Sequence, residues 1–278
     1  MSVNIDIENL KTWIGKQESE GDVVTPELVR RFKASLANLP EGPVHSHLPL
    51  GLHWCLAQPS FKETDLEVDG HPSKGSFMPP VPLPQRMWAS SHIIFHKALE
   101  IDVFTKKTST IKNVTLKKNA AASPLIFIEI NHDYEQNSNL CIQDKQTLVY
   151  RESSPYKKSK PEHVENSEYT YTFAPTSVLL FRYSALTFNS HRIHYDTSYC
   201  KKIEGYPGLV VHGPLMATML MNLAQAKNSA PLKEFKFRAI APSFVDENLN
   251  LILKNDKARE LELRSDDGSI IMTAHAEF

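Results

Sequence analysis

From Ser91 onward, apolar and polar positions alternate in runs separated by turn-forming residues, a period of two that predicts strands. The runs are Ile93 to Phe104, Thr108 to Leu116, Pro124 to Asn131 and Leu140 to Arg151, with turns at Lys118-Asn119 and Asn137-Ser138-Asn139. The same rhythm returns in Phe235 to Ala241, Leu249 to Asn255, Arg259 to Arg264 and Ser269 to Phe278. Between the two sets, residues 152–168 are rich in Ser, Lys, Glu and Pro and read as an exposed linker. The pattern predicts two units, 1–151 and 169–278, that repeat an architecture rather than a text.

Helical periodicity accompanies both sets of strands. Thr25 is placed to cap a helix with Pro26 at its first position, Glu27 in its first turn, and Val29, Phe32, Leu36 and Leu39 at helical spacing. In the second unit Leu215, Met219, Leu220, Leu223 and Ala224 recur after Gly213-Pro214, which predicts a mostly buried helix of about 14 residues. The first unit has only Leu48 to Gln58 in the corresponding role, short and interrupted by Pro49 and Gly51. The implied class is α+β: an antiparallel sheet wrapped on a helix, twice, with the N-terminal copy degenerate.

Candidate chemistry concentrates between linker and buried helix. Phe181 to Thr187 is rich in aromatic and β-branched residues and reads as the end of a strand or an extended approach. Asn189 to His191 is turn-prone, and Ile193 and Tyr195 then alternate with His194 and Asp196. A polar loop between apolar anchors is where catalytic side chains usually sit. His194 is the candidate base, Asn189 can orient a water, and the Gly213 amide opens a helix whose positive end can stabilise a developing oxyanion. Tyr183, Arg192, His212 and Arg238 are the candidates for binding substrate; the planar forks of the two arginines suit a carboxylate or phosphate. His191, His194 and His212 could be imagined as metal ligands, but no carboxylate or cysteine of matching spacing completes a set, so no metal is expected. His45 and His47 read as part of a solvated loop, and the prolines from Pro79 to Pro84 as a rigid extended segment lining the pocket.

Composition narrows the class without naming it. The chain has 278 residues, 41% hydrophobic and 23% charged, with a formal net charge of −1, so no global field draws it to nucleic acid or an anionic membrane. Cys55, Cys141 and Cys200 are widely spaced and unpaired in pattern, as in a reducing compartment. The N-terminus has no signal-type apolar core and no run is long enough to span a bilayer, so a cytoplasmic location is expected. Asn113-Val114-Thr115 matches a glycosylation acceptor by chance on that reading. No phosphate loop, Gly-x-Ser-x-Gly elbow or nucleotide fingerprint is present, which argues against a kinase, a serine hydrolase and a nicotinamide enzyme.

The pattern Asn189-x-x-x-x-His194-x-Asp196, followed by Gly205-Tyr-Pro-Gly-Leu-Val-Val-His-Gly-Pro214, resembles the MaoC-like enoyl-thioester hydratases, which have the hotdog fold. Trp13-Ile14-Gly15, Asp69-Gly70-His71-Pro72 and the run from Pro79 to Trp88 are similar to the two-domain subgroup that includes mesaconyl- and itaconyl-CoA hydratases and mitochondrial-type 3-hydroxyacyl-thioester dehydratases. The resemblance covers nearly the whole chain and implies a double hotdog whose first half has lost its catalytic loop and shapes the pocket. It also implies a hydro-lyase acting on an α,β-unsaturated acyl-CoA, with no cofactor beyond the coenzyme A of the substrate, working as a homodimer. A C5 dicarboxylic acyl-CoA is the implied substrate, with a (3R)-3-hydroxyacyl thioester of fatty acid metabolism as the alternative. One position departs from the pattern: R-specific enoyl-CoA hydratases carry an aspartate where this chain has Asn189. An amide cannot take a proton at neutral pH, so either His194 is the only strong base of the pair or Asp196 contributes. A non-catalytic acyl-CoA binding protein would show such a loss, but should also have lost His194 or the Gly213 helix start. A thioesterase of this fold usually needs a carboxylate beside the helix, and position 189 does not supply one.

Overall fold

The computed structural model describes residues 4–37, 40, 48–118, 123–153, 156, 169–254 and 259–278. The first half contains α1 (Ile7–Lys11), β1 (Gln17–Val23), α2 (Pro26–Ser35), β2 (Gln85–Phe95), β3 (Phe104–Lys118), β4 (Pro124–Gln136) and β5 (Asn139–Arg151). The second contains β6 (Tyr169–Phe173), α3 (Ser177–Leu186), α4 (Thr197–Tyr199), α5 (Gly213–Ala226), β7 (Glu234–Ala239), β8 (Leu249–Leu253), β9 (Glu260–Ser265) and β10 (Ile270–Glu277). Among the described residues no helix is long and apolar enough to cross a membrane.

The expected two sheets are one. All strand pairs are antiparallel and run β1-β3-β4-β5-β2-β7-β10-β9-β8-β6. Counted within each half, both follow the order first, third, fourth, fifth, second. The two second strands, β2 and β7, pair edge to edge from Ser90↔Arg238 to Ile94↔Glu234. Joining these two edges leaves no open backbone edge at the middle of the molecule. The internal repeat is therefore carried by topology, and the architecture is the double hotdog.

The halves differ in what fills them. In the second, α5 lies against β7 to β10 and buries Leu215, Met216, Met219, Leu220, Leu223 and Ala224 on an inner sheet face that includes Leu251, Leu261, Leu263 and Met272. In the first, the place of the long helix is taken by one 3-10 turn, Leu52–Cys55, fully buried. The sheet beneath it carries a polar band: Trp54 Nε1 donates to Asp144 Oδ2 at 2.9 Å, and His132 bridges Ser109 and Gln146 at 2.9 and 3.2 Å. Each of these side chains has a partner in the band, while the second Asp144 oxygen, Oδ1, is buried with none among the described residues. The turn seats on α5, because Asn222 Nδ2 donates to the Leu50 carbonyl at 3.1 Å.

Several sequence expectations shift at their boundaries. The cap of α2 is as read, with Thr25 Oγ1 accepting from Leu28 N at 3.1 Å. The strand expected at Ile93 to Phe104 lies earlier, at Gln85–Phe95, and the chain turns through Asp102 at φ 60° before β3. Within the proline run, Val81 and Leu83 are buried in a cluster with Leu10 of α1 and the isoleucines of β4. Phe181 to Thr187 is helix, not strand; Thr176 caps α3, and Leu180, Tyr183, Ser184 and Thr187 point inward at helical spacing. His45, His47, Leu39, Asn119, Asn255 and most of the linker lie outside the described residues.

Candidate active site

The site is built where α3 ends and α5 begins. After α3 the chain reverses through Phe188 at φ 49°, a left-handed conformation costly for a bulky residue, and the Asn189 amide nitrogen donates back to the Ser184 carbonyl at 2.9 Å. Asn189 Oδ1 accepts from the His191 backbone at 3.0 Å, so its amide oxygen shapes the turn. Arg192–His194 then forms a 3-10 turn that delivers His194 inward. Asp196 ends it by capping α4, accepting from Tyr199 N at 2.9 Å. The segment before α5 pins the turn from the other side. Val210 N donates to the Ile193 carbonyl at 2.9 Å, and the Val210 carbonyl accepts from His194 Nδ1 at 2.7 Å.

That last bond fixes the chemistry of His194. A carbonyl accepts only, so Nδ1 carries the proton and Nε2 is left as a bare acceptor. Burial drives the His194 pKa down to about 4, with the Val210 carbonyl opposing and His71 adding to the fall, so the ring is neutral at pH 7. Behind it, His212 stacks at 3.6 Å between centroids and 17° between planes. His212 Nε2 meets Ser184 Oγ at 2.9 Å, and Tyr183 stands edge-on to His212 at 5.0 Å.

The structure sorts the expected residues. Asn189, His194 and Gly213 share one locus, and the His212 side chain does not cap the start of α5. A Cβ built on Gly213 would meet nothing within 4 Å, so the side of the helix start on which a side chain would stand is open. Tyr183 is 0% and His212 1% exposed; they form the wall that holds the His194 ring, not a surface for substrate. Arg192 is already committed: its guanidinium pairs with Asp196 Oδ2 at 2.7 Å, reaches the Val68 carbonyl at 3.1 Å and lies over the Tyr199 ring. Arg238 is exposed on the face of β7 opposite α5, since its neighbour Phe237 is the one turned inward. There it lines an open groove of about 410 Å³ with Lys236, Lys254 and Glu262, away from His194. A fork at Arg192 or Arg238 poised for substrate is not what the structure provides.

Sequence reasoning has the first half shape the pocket and notes Asp69-Gly70-His71-Pro72 as a motif, but gives these residues no place beside His194. A tight loop at Asp69-Gly70-His71 docks on the catalytic turn: Arg192 N donates to the Asp69 carbonyl at 2.9 Å and Ser190 Oγ to the Gly70 carbonyl. Asp69 holds His71, accepting from its ring Nδ1 at 2.8 Å and its backbone at 2.9 Å. The His71 ring packs on His191 at 4.0 Å, and His191 meets His194 edge to face at 5.5 Å. Burial lowers the His71 pKa to about 4, and Arg86 nearby adds to the effect. Asp69, His71 and His191 each offer a ligand atom within 4.8 Å of the others, the cluster best placed to hold a metal ion among the described residues. Both Asp69 oxygens are already engaged by His71, however, and the Arg86 charge bears on all three groups, so the wiring is that of a hydrogen-bonded dyad.

Comparison with known proteins gives the family and the fold. The chain is 39% identical over 272 residues to a mesaconyl-C(4)-CoA hydratase of Chloroflexus aurantiacus, covering 95% of this chain and 96% of that one. It is 28% identical to a mitochondrial hydroxyacyl-thioester dehydratase type 2 of Schizosaccharomyces pombe, over 73% and 76% of the two chains. Among solved structures, HtdX of Mycobacterium tuberculosis superposes with a TM-score of 0.69 at 15% identity, over 94% of this chain and 99% of the other. A further M. tuberculosis protein described as a double hotdog superposes at 0.55 and 12% identity, over 95% of each chain. Residues 51–245 match the family model of hydroxyacyl-thioester dehydratase type 2, and the chain belongs to that family.

Proposed function

We propose that the protein is a reversible hydro-lyase that adds water across the α,β double bond of an acyl-CoA thioester, with a C5 dicarboxylic acyl group such as mesaconyl or itaconyl as substrate. The observation that carries the reaction type is the pairing of a neutral His194, its Nδ1 committed to Val210, with the start of α5 at Gly213. The thioester oxygen sits at the Gly213 amide, where the positive helix end stabilises the enolate that forms. His194 Nε2 takes a proton from water as the water oxygen bonds to the β carbon. The imidazolium then returns that proton to the α carbon, and the enzyme ends as it began. Such acid-base assistance is worth roughly 10²- to 10⁴-fold.

Identity to the Chloroflexus hydratase supports the dicarboxylic substrate. A second carboxylate needs a cation, since burying it alone costs several kcal/mol. Arg86 is the better-placed one, close enough to disfavour charge on His71 and His191. The fatty 3-hydroxyacyl thioester is the second reading, supported by the yeast relatives. Purified protein against crotonyl-, mesaconyl-, itaconyl- and long-chain enoyl-CoA, followed by loss of the conjugated-thioester absorbance, separates them. Preference for the diacids, lost selectively in Arg86→Met, is the expected result; preference for long chains moves the substrate to the second reading. Binding without turnover would mean a carrier. The cytoplasmic location and the homodimer belong to the same proposal, the latter checked by light scattering.

A further inference from the structure

In the active-site loop the family's acidic position is Asn189, and its Oδ1 is spent on the His191 backbone. Asp196 of the same turn is committed to Arg192 and to the Tyr199 backbone, and another carboxylate, from the other half of the molecule, is linked to the His194 ring through packed imidazoles. We propose that Asp69 and His71 form a positioning dyad that supplies, through His191, the negative charge and ring support which the catalytic turn lacks at position 189. The inference rests on the hydro-lyase reading.

Four observations carry it. First, the dyad is built: Asp69 accepts two hydrogen bonds from His71, fixing its Nδ1–H tautomer and its orientation. Second, the dyad is continuous with the base. His71 packs on His191 at 4.0 Å and His191 on His194 at 5.5 Å, and His191 is 7% exposed, with a ring held by packing rather than by a hydrogen bond to a described residue. Third, the loop that bears the dyad is clamped to the turn that bears His194, by Arg192 N on the Asp69 carbonyl, Arg192 Nη1 on the Val68 carbonyl at 3.1 Å and Ser190 Oγ on the Gly70 carbonyl. Gly70, at φ 88°, is the only residue type that fits: a Cβ there would run into the Ser190 backbone oxygen. Fourth, the need exists. When His194 takes the proton of water it becomes a buried imidazolium, and an anion held nearby lowers the cost of that charge. A carboxylate at the catalytic loop would do this directly; here it acts at one remove.

Steady-state kinetics on mesaconyl-CoA with wild type, Asp69→Asn, His71→Gln, Asn189→Asp and the doubles Asp69→Asn/Asn189→Asp and His71→Gln/Asn189→Asp test this. Asp69→Asn keeps an oxygen for the His71 backbone while removing the charge, so the loop keeps its turn. The expected result is a kcat lower by about 10- to 100-fold in Asp69→Asn and His71→Gln with KM within about threefold. Restoring a carboxylate at 189 should recover at least about tenfold in either double, a rescue that a merely structural loop would not show. Wild-type kcat in both single variants, or a loss that Asn189→Asp leaves untouched in both doubles, overturns the dyad. A wild type inert toward every enoyl thioester would instead sink the hydro-lyase reading, and the dyad's role with it.

Discussion

His194, the proposed base, is buried: the Val210 carbonyl takes one ring nitrogen, His212 backs the plane, and burial keeps the ring neutral at pH 7. His194→Asn can keep a donor to Val210 but has no basic nitrogen. We expect it to fold with an unchanged unfolding midpoint and to lose about 10²-fold or more in kcat; near wild-type turnover in stopped assays would remove His194 from the role. Asn189 tests a different point. Its Oδ1 closes a turn that Asp can also close, so Asn189→Asp should retain activity, whereas Asn189→Ala loses the turn and should lower both kcat and stability. Equal and small effects of the two changes on turnover would show that the amide neither shapes the turn nor holds water. The placing of His194 beside the start of α5 was legible because both lie in one local motif. The Asp69–His71 pair was not, because the contact between Gly70 and Ser190 bridges 120 residues of chain and no local spacing announces it.

At the level of elements, α5 is the organising piece, and one glycine determines how the first half meets it. Gly51 holds φ 90° at the head of the Leu52–Cys55 turn, and a Cβ there would press into Thr218 Oγ1 of α5. Gly51→Ala therefore faces both backbone strain and a steric conflict, and should destabilise by about 1–3 kcal/mol. Adding Thr218→Ala should return the steric share but not the strain, so urea midpoints of the single and double variants separate the two. A Gly51→Ala protein as stable as wild type would mean that the turn does not seat on α5 as described. Most of the long strands, α2 and α5 were readable from their periods, α2 with its Thr25 cap and α5 with its Gly213-Pro214 start, whereas β1 and β6 were not read and β2 lies earlier than expected. The misread element, α3, shows the limit of composition: its aromatic and β-branched residues suggested a strand, while the Thr176 cap and the inward set Leu180, Tyr183 and Thr187 already spelled a helix. The fusion of two sheets into one was also hidden, since pairing of β2 with β7 joins edges that no local pattern relates.

Across the whole molecule, the polar interior that makes the site possible also sets where the fold fails. Six histidines are held neutral chiefly by burial: His53 and His132 fall to about 3, His71 and His194 to about 4, and His191 and His212 lie well below the ordinary value. In the unfolded chain each titrates near 6.5. A folded pKa below the unfolded one means that the stability tied to these groups is fully present above about pH 6.5 and is lost as pH falls below it, at about 1.4 kcal/mol per histidine per pH unit. Asp144 works in the opposite sense, since burial raises its carboxyl to about 6 and its contribution grows on acidification. Glu18, also raised by burial, acts in the same sense, so among the described residues it is two groups against six, and Asp69, held down to about 2, does not begin to release its share until far lower pH. Stability should thus be flat between pH 8 and 7 and fall steeply from pH 6 to 5, well before carboxylate protonation would act. Guanidinium midpoints measured at pH 8, 7, 6 and 5 decide it. A midpoint that holds steady down to pH 5 would mean that these rings are protonated or hydrated in the native protein, and the neutral, acceptor-bearing His194 on which the mechanism depends would fall with it.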